Sequence, residues 1–316
     1  MFEYTLKRLL GTIPVMFGIL LVAFAVLYLI PGNPAQTVAG PRADEATIAR
    51  IAHEMGLDLP VYKRFWGYAS RVCTGNLGES VVSGKPVLDS IREKFPYTLK
   101  LALIAMMFSV IIGTLTGVIG AVTQGRMIDR VCTFFSVTGI SIPVFLSGLV
   151  FLYVFAVKLR WFPTSGFRGA ESLWPFVLPA FTLGIRSAAF LARIVRSSLI
   201  EVLNQDFIRT ARAKGLSPVR VLFRHGLVNA MIPVITVIGL DLSSYLNGSV
   251  IVETIFDLPG IGRFAMDAIL KRDYPVIQGI ILFGALIFIM VNLLIDLVYA
   301  YINPRIRDEM LGKAIK

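Results

Sequence analysis

Long apolar runs alternate along the chain with short charged segments. The runs extend from about Leu9 to Ile30, Leu99 to Val122, Val131 to Val157, Trp174 to Ile194, Val228 to Val252 and Val276 to Ile302. A helix needs roughly 20 mostly apolar residues to cross a bilayer. These runs are continuous rather than alternating, which predicts helices and not barrel strands. The pattern predicts an all-α polytopic membrane protein with six transmembrane helices. Gly139-Ile140-Ser141-Ile142-Pro143 lies inside the third run and predicts a kink there.

One interval is long and polar. Residues 31–97 hold helix-like pieces from Ala43 to Met55 and from Val61 to Val72, then turn signals at Thr74-Gly75-Asn76-Leu77-Gly78. They carry eight Lys/Arg and seven Asp/Glu, a net of +1, within a chain of 316 residues and net charge +11. The positive excess therefore lies beside the helix ends. Short segments on one side hold Lys7, Arg8, Arg126, Arg130, Arg209, Arg212, Lys214, Arg220, Arg224, Arg305, Arg307, Lys313 and Lys316. The short loops opposite hold Lys158, Arg160, Arg168, Arg263, Lys271 and Arg272. This bias predicts both termini on the cytoplasmic side and residues 31–97 as one extracytoplasmic domain after the first helix. The first run is too long for a signal core, and Pro31-Gly32-Asn33-Pro34 follows it instead of a small-residue cleavage site.

Composition agrees, with 56% hydrophobic residues and a mean hydropathy of +0.74. Charge this dispersed argues against nucleic acid as a partner and for membrane lipid as the surroundings. Cys73 and Cys132 fall on opposite sides of the predicted membrane and read as free, buried thiols. Neither His53 nor His225 has metal-site neighbours in sequence. The Gly-Lys pairs, Gly84-Lys85 and Gly312-Lys313, lack an upstream glycine at the right spacing and a following Ser or Thr, so no phosphate-binding loop is present. No nucleophile-and-base spacing stands out, and catalytic residues, a metal site and a bound cofactor are all expected to be absent.

Two constellations remain. The first is the charged stretch from Asp206 through Arg209, Thr210, Ala211, Arg212, Lys214, Gly215, Ser217, Pro218 and Arg220 to Arg224 and His225. It predicts two short helices with a break. Gly215 suits the left-handed residue that closes a helix, Ser217 an N-cap, and Pro218 the first turn of the next helix. A basic helical elbow between spans offers a docking surface or an ordinary loop beside anionic lipid. The second is a pair of charges within the runs. Arg186 lies about 12 residues into the fourth run and Asp241 about 13 into the fifth, each some 18 Å deep at about 1.5 Å per residue. They read either as a structural ion pair or as lining for a solute path, where they would meet the carboxylate and amine of a zwitterion.

The elbow resembles the EAA loop of ABC-importer permeases, in the branch for dipeptides, oligopeptides, glutathione and nickel. The general pattern has Glu-Ala-Ala with a glycine four residues after the second alanine. Arg209, Thr210 and Ala211 fill the triplet here, and Gly215 is the glycine. The peptide branch departs in the same way, with Arg-Thr-Ala-Arg-Ala-Lys-Gly and a later His-x-Leu-x-Asn-Ala, matching Arg209–Gly215 and His225–Ala230. Further marks are Pro31–Pro34, Gly56–Pro60, Asn76-Leu77-Gly78-Glu79-Ser80, Pro86-Val87, Pro96-Tyr97-Thr98-Leu99, Arg196-Ser197-Ser198, Glu253-Thr254-Ile255-Phe256, Pro259–Arg263, Arg272–Val276 and Asn303–Arg307.

The resemblance implies a type I ABC importer permease fold, divided into residues 1–94, a five-helix permease domain over 95–304 with its coupling loop at 197–228, and a tail over 305–316. It implies a non-catalytic transport subunit of the bacterial cytoplasmic membrane. The partners would be a second homologous permease, two cytosolic ATP-binding subunits that hold ATP and magnesium, and an extracytoplasmic solute-binding protein. Arg209, Thr210, Ala211, Gly215, Ser217, Pro218 and Arg220 would dock the ATPase. A short peptide leads as solute, ahead of glutathione, a nickel chelate and sugar oligomers. An ion-coupled secondary transporter is the alternative of a different class.

Overall fold

The computed structural model describes residues 2–29, 34–39, 43–54, 58–164 and 172–302. The described residues are helical throughout apart from turns and one isolated bridge between Glu79 and Pro86. In order, the helices are α1 (Phe2–Leu29), α2 (Pro34–Ala39), α3 (Glu45–Glu54), α4 (Val61–Cys73), α5 (Val87–Val122), α6 (Met127–Ser141) and α7 (Val144–Phe151). After these come α8 (Trp174–Leu203), α9 (Asp206–Ala213), α10 (Pro218–Arg220), α11 (Val228–Leu246), α12 (Val250–Ile255), α13 (Ile261–Leu270) and α14 (Tyr274–Ile302). Among the described residues four helices are long and apolar enough to cross a membrane: α5, α8, Pro218–Leu246 and α14. α6 and Val144–Lys158 pass the same test only as a pair, bent by 101°, which is the form of a broken span or of a re-entrant loop. The break falls at Ile142-Pro143, as the kink expectation requires, because proline lacks the amide that would continue the ladder. Leu10–Ala25 within α1 forms a shorter apolar stretch.

Element boundaries depart from the hydropathy pattern where polar residues continue a helix. α5 begins at Val87, twelve residues before the apolar run, with Pro86 at its N-cap and Asp89 in its first turn. Val87 and Ile91 are buried against Ile261, Ala268, Val276 and Ile277, so this polar-looking turn packs on α13 and α14. α8 runs nine residues past its apolar run to Leu203. The fifth run stops short of its predicted end. Its helix closes at Leu246, and Gly248 turns the chain at φ +94 before α12 starts.

The bundle is built around α8, 67% of whose most apolar stretch is buried, against 22–33% for the other three long helices. α5 lies against it closely enough that Gly113 and Gly117 have no room for a side chain. A Cβ at Gly117 would stand 2.6 Å from Val195 Cβ and 2.7 Å from the Ala192 carbonyl. One at Gly113 would stand 2.7 Å from Leu191 Cβ. Small residues four apart let two helix backbones approach in this way, and the gain is van der Waals contact rather than hydrophobic exclusion.

At the elbow end, Asp129 of α6 ties the α5–α6 hairpin to α8. Arg196 donates from Nε to Oδ1 at 2.6 Å and from NH2 to Oδ2 at 2.8 Å, and the Gly125 amide donates to Oδ2 at 2.9 Å. The two-pronged geometry suits guanidinium and carboxylate. Asp129→Asn is expected to lower stability by about 1–3 kcal/mol, since a charge-assisted bond is lost beside a half-buried cation. Thermal unfolding of the purified chain, in a double-mutant cycle with Arg196→Gln, checks this. A coupling below a few tenths of a kcal/mol would contradict it.

At the far end, two buried carboxylates gather segments distant in sequence. Glu253 is fully buried. Its Oε1 accepts from the Thr98 hydroxyl at 2.9 Å, and its Oε2 accepts from the Arg263 amide at 2.8 Å. Thr98 Oγ1 accepts from the Ile261 amide at 2.8 Å. The carboxylate thereby sits at the first turn of α13, where helix amides point outward. Burial pushes this carboxyl up, opposed by the amide and hydroxyl donors around it. Asp273 accepts from the Ser80 hydroxyl at 2.5 Å and from the amides of Val81 and Val82. It fastens residues 80–82 to the start of α14.

Both cysteines are free, but Cys73 is exposed and Cys132 only partly covered, contrary to the expectation of two buried thiols. Cys73 ends α4 beyond the face that packs on α1, where Tyr68 meets Phe24 and Ala23.

Candidate functional site

The elbow is two helices with a break, of which the second does not stop. α9 is followed by Lys214–Ser217, and α10 then runs through a π-helical turn over Val221–Leu227 directly into α11. The break has the geometry of a closed helix end. Gly215 sits at φ +77. Its amide donates to the Arg212 carbonyl at 2.9 Å, and the Leu216 amide donates to the Ala211 carbonyl at 3.4 Å. Those two bonds make a Schellman cap, with Leu216 packed back on the helix it closes. Pro218 occupies the first turn of α10. Ser217 holds the N-cap position in extended conformation, yet its side chain makes no capping bond; its carbonyl accepts from Val221 instead.

The elbow's inner face is small and apolar. Ile208, Ala211 and Val221 are buried together, with Leu203 and Leu216 around them. Ala211 thus lies inside the elbow. The outer face carries Arg209, Thr210, Arg212, Lys214, Gly215, Ser217, Pro218 and Arg220, all exposed. Arg209 pairs with Asp206 at 3.3 Å, and Thr210 Oγ1 donates to the Asp206 carbonyl at 3.1 Å. Val219 and Phe223 add exposed apolar surface, at 66% and 53%. A cleft of about 710 Å³ separates the elbow from the α5–α6 hairpin, between Gln124 and Arg126 on one side and Arg212 and Leu222 on the other. The arrangement is a capped, basic helix held clear of the bundle, with apolar side chains exposed beside the charges.

Arg186 and Asp241 lie on neighbouring helices, α8 and α11, and form no ion pair. The Arg186 side chain is exposed and the Asp241 side chain is half-buried. Asp241 has the Ser187 hydroxyl and the Arg186 charge beside it, while its Oδ2 is buried without a hydrogen-bond partner. Tyr245, one turn on, donates to Ser187 Oγ at 2.5 Å.

The sequence reading passed over Asp129 and did not connect Ser80 with Asp273 or Thr98 with Glu253. All five stand in or beside stretches that carry charge or motif residues. The available signal was an acidic residue at a helix end with no partner nearby in sequence. Pro31–Asn33, Met55–Leu57, Arg168 and the segment from Asn303 to the C-terminus lie outside the described residues. Among the described residues no three His, Cys, Asp or Glu side chains cluster as metal ligands.

Two family models cover the chain. The binding-protein-dependent transport system inner membrane component matches residues 97–308, and its N-terminal companion matches residues 1–102. The chain belongs to this family. It is a membrane permease subunit of an ABC importer. The glutathione transport system permease protein GsiC of Escherichia coli O6:H1 is 46% identical over 307 residues, which is 97% of this chain and 99% of that protein. GsiC of Shigella dysenteriae serotype 1 is 45% identical over the same share of each chain. Among solved structures, an inward-facing MetNI methionine ABC transporter matches with a TM-score of 0.58 and 17% identity, over 68% of this chain and 97% of that one. An amino acid ABC transporter solved with histidines matches at 0.51 and 16% identity, over 73% and 96%. These two likenesses show the fold.

Proposed function

We propose that this permease carries a short peptide, with glutathione included, inward across the bacterial cytoplasmic membrane. The single observation that carries the reading is the elbow: a Schellman-capped helix with a basic, partly apolar outer face, standing off the bundle on the sequence that resembles the peptide branch. A cytosolic ATP-binding subunit docks there, against Arg209, Thr210, Gly215, Ser217, Pro218 and Arg220, with Ala211 shaping the elbow from within. Nucleotide-driven closure of two such subunits moves the elbows and rocks this chain against a second, homologous permease. ATP and magnesium belong to those partners, and this chain performs no hydrolysis.

In this reading α1 completes six spans, and both termini face the cytoplasm. Residues 31–97 and 253–275 face outward and receive the solute-binding protein. The buried carboxylates Glu253 and Asp273 hold that outer surface in shape. The division into residues 1–94, 95–304 and 305–316 follows from the same topology. Arg186 and Asp241 line the solute path between the two permeases. The solute assignment draws on the 46% identity to the glutathione permease.

Reconstitution tests the reading. Proteoliposomes holding the complete complex should take up labelled glutathione or a labelled dipeptide only with ATP and the binding protein, and an ionophore should leave uptake unchanged. Uptake that persists without the ATP-binding subunits and collapses with the ionophore would establish ion coupling instead.

A further inference from the structure

The exposed side of α8 is narrow and cationic. In the middle of the span its exposed side chains are Arg186 and Arg193, seven residues and so two turns apart on one face. Arg193 stands over the Phe190 ring at 5.2 Å. On α11, beyond Val228 and Asn229 in its first turn, the exposed positions are Pro233, Thr236, Leu240 and Ser244, again one helical stripe. The two helices pack through Leu191, Val195 and Val234, and further along through Tyr245, whose hydroxyl reaches the Leu183 carbonyl and Ser187. A guanidinium at mid-membrane depth faces protein or water, not lipid. The exposed stripe of α8 that carries Arg186 and Arg193, beside the seam with α11, is therefore the wet face of this subunit.

Opposite charges beside that stripe stay unpaired. Arg186 keeps its fork exposed, and Asp241 Oδ2 is buried without a donor. They stand on adjoining helices yet form no ion pair. A buried acceptor without a donor is costly and calls for a partner. We infer that Arg186 and Asp241 form a two-ended clamp for the solute in transit, Arg186 taking a free carboxylate and Asp241 a free ammonium. The clamp rests on the importer reading and adds a recognition point inside the membrane, separate from capture by the binding protein. Its ligand class is a small zwitterion whose two charged ends are both unblocked. Arg193, two turns from Arg186 on the same face, is placed to hand the carboxylate onward.

The test compares three probes in proteoliposomes of the whole complex: a labelled dipeptide, its C-terminal amide and its N-acetyl form, each saturating the binding protein. Capture by that protein is common to all permease variants and cancels from the comparison. Arg186→Gln should reduce the preference for free dipeptide over amide by about tenfold while preserving the preference over the N-acetyl form, because a charge-assisted bond to carboxylate is what it removes. Asp241→Asn should do the reverse. The binding protein should still stimulate ATP hydrolysis in both. Equal loss for all three probes would show a structural role and overturn the clamp, and so would unaltered preferences. Absence of ATP-driven uptake by the unaltered complex would overturn the importer reading beneath it.

Discussion

The Gly215→Val chain is expected to insert and fold normally but to lose roughly 5–30-fold in ATP-driven uptake. Gly215 closes α9 at φ +77, with its amide on Arg212 and the next amide on Ala211. An L-residue pays about 1–2 kcal/mol in that region, and a β-branched one has the least freedom to adapt. One to two kcal/mol is a factor of about 5–30 in the population of the docking-competent elbow. The effect is conformational and not steric, because a Cβ at Gly215 meets nothing within 4 Å. Gly215→Asn should therefore retain most uptake, since Asn tolerates the left-handed region. Purification yield, uptake and ATP hydrolysis by the reconstituted complex check all three points. Equal loss with Asn and Val would contradict the argument, as would normal uptake with Val.

The second large effect lies in the bundle. Gly117→Leu should leave little folded permease, and Gly117→Ala should cost about 1–3 kcal/mol as overpacking. The side chain would meet Val195 Cβ at 2.6 Å and the Ala192 carbonyl at 2.7 Å, and the carbonyl belongs to the backbone of α8, which cannot turn aside. Val195→Ala should therefore rescue Gly117→Ala only in part. Thermal unfolding in detergent measures this. An unchanged midpoint for Gly117→Ala would mean that α5 and α8 do not meet as closely as described.

How far the sequence disclosed this molecule differs between its parts. The long apolar runs announced the helices α5, α8, α11 and α14, because lipid leaves few alternatives to a continuous helix. Gly139–Pro143 announced the break between α6 and α7 and Gly215 the elbow's turn, since both signals are local. Starts and ends were less legible. Val87 and Ile91 sit in a polar stretch that hydropathy assigns to a loop, yet tertiary packing on α13 and α14 makes them helical core. Asn247-Gly248-Ser249 ends α11 inside an apolar-looking run. Long-range pairs such as Asp129–Arg196, Ser80–Asp273 and Thr98–Glu253 were not legible at all. Each joins residues 67 to 193 positions apart, and one chain carries no local trace of such a partner. Of the residues expected on the elbow's surface all but Ala211 are exposed, and its burial follows from the inward stripe it shares with Ile208.

The most direct test of the account is a crosslink from Ser217→Cys in native membranes, with mass spectrometry of the captured partner. The substitution is mild, because the native hydroxyl caps nothing and the position is exposed. The account predicts capture of a cytosolic ATP-binding subunit, lost when the same thiol is blocked beforehand. A thiol that reacts from the cytoplasmic side yet never captures an ATP-binding subunit would contradict docking at the elbow.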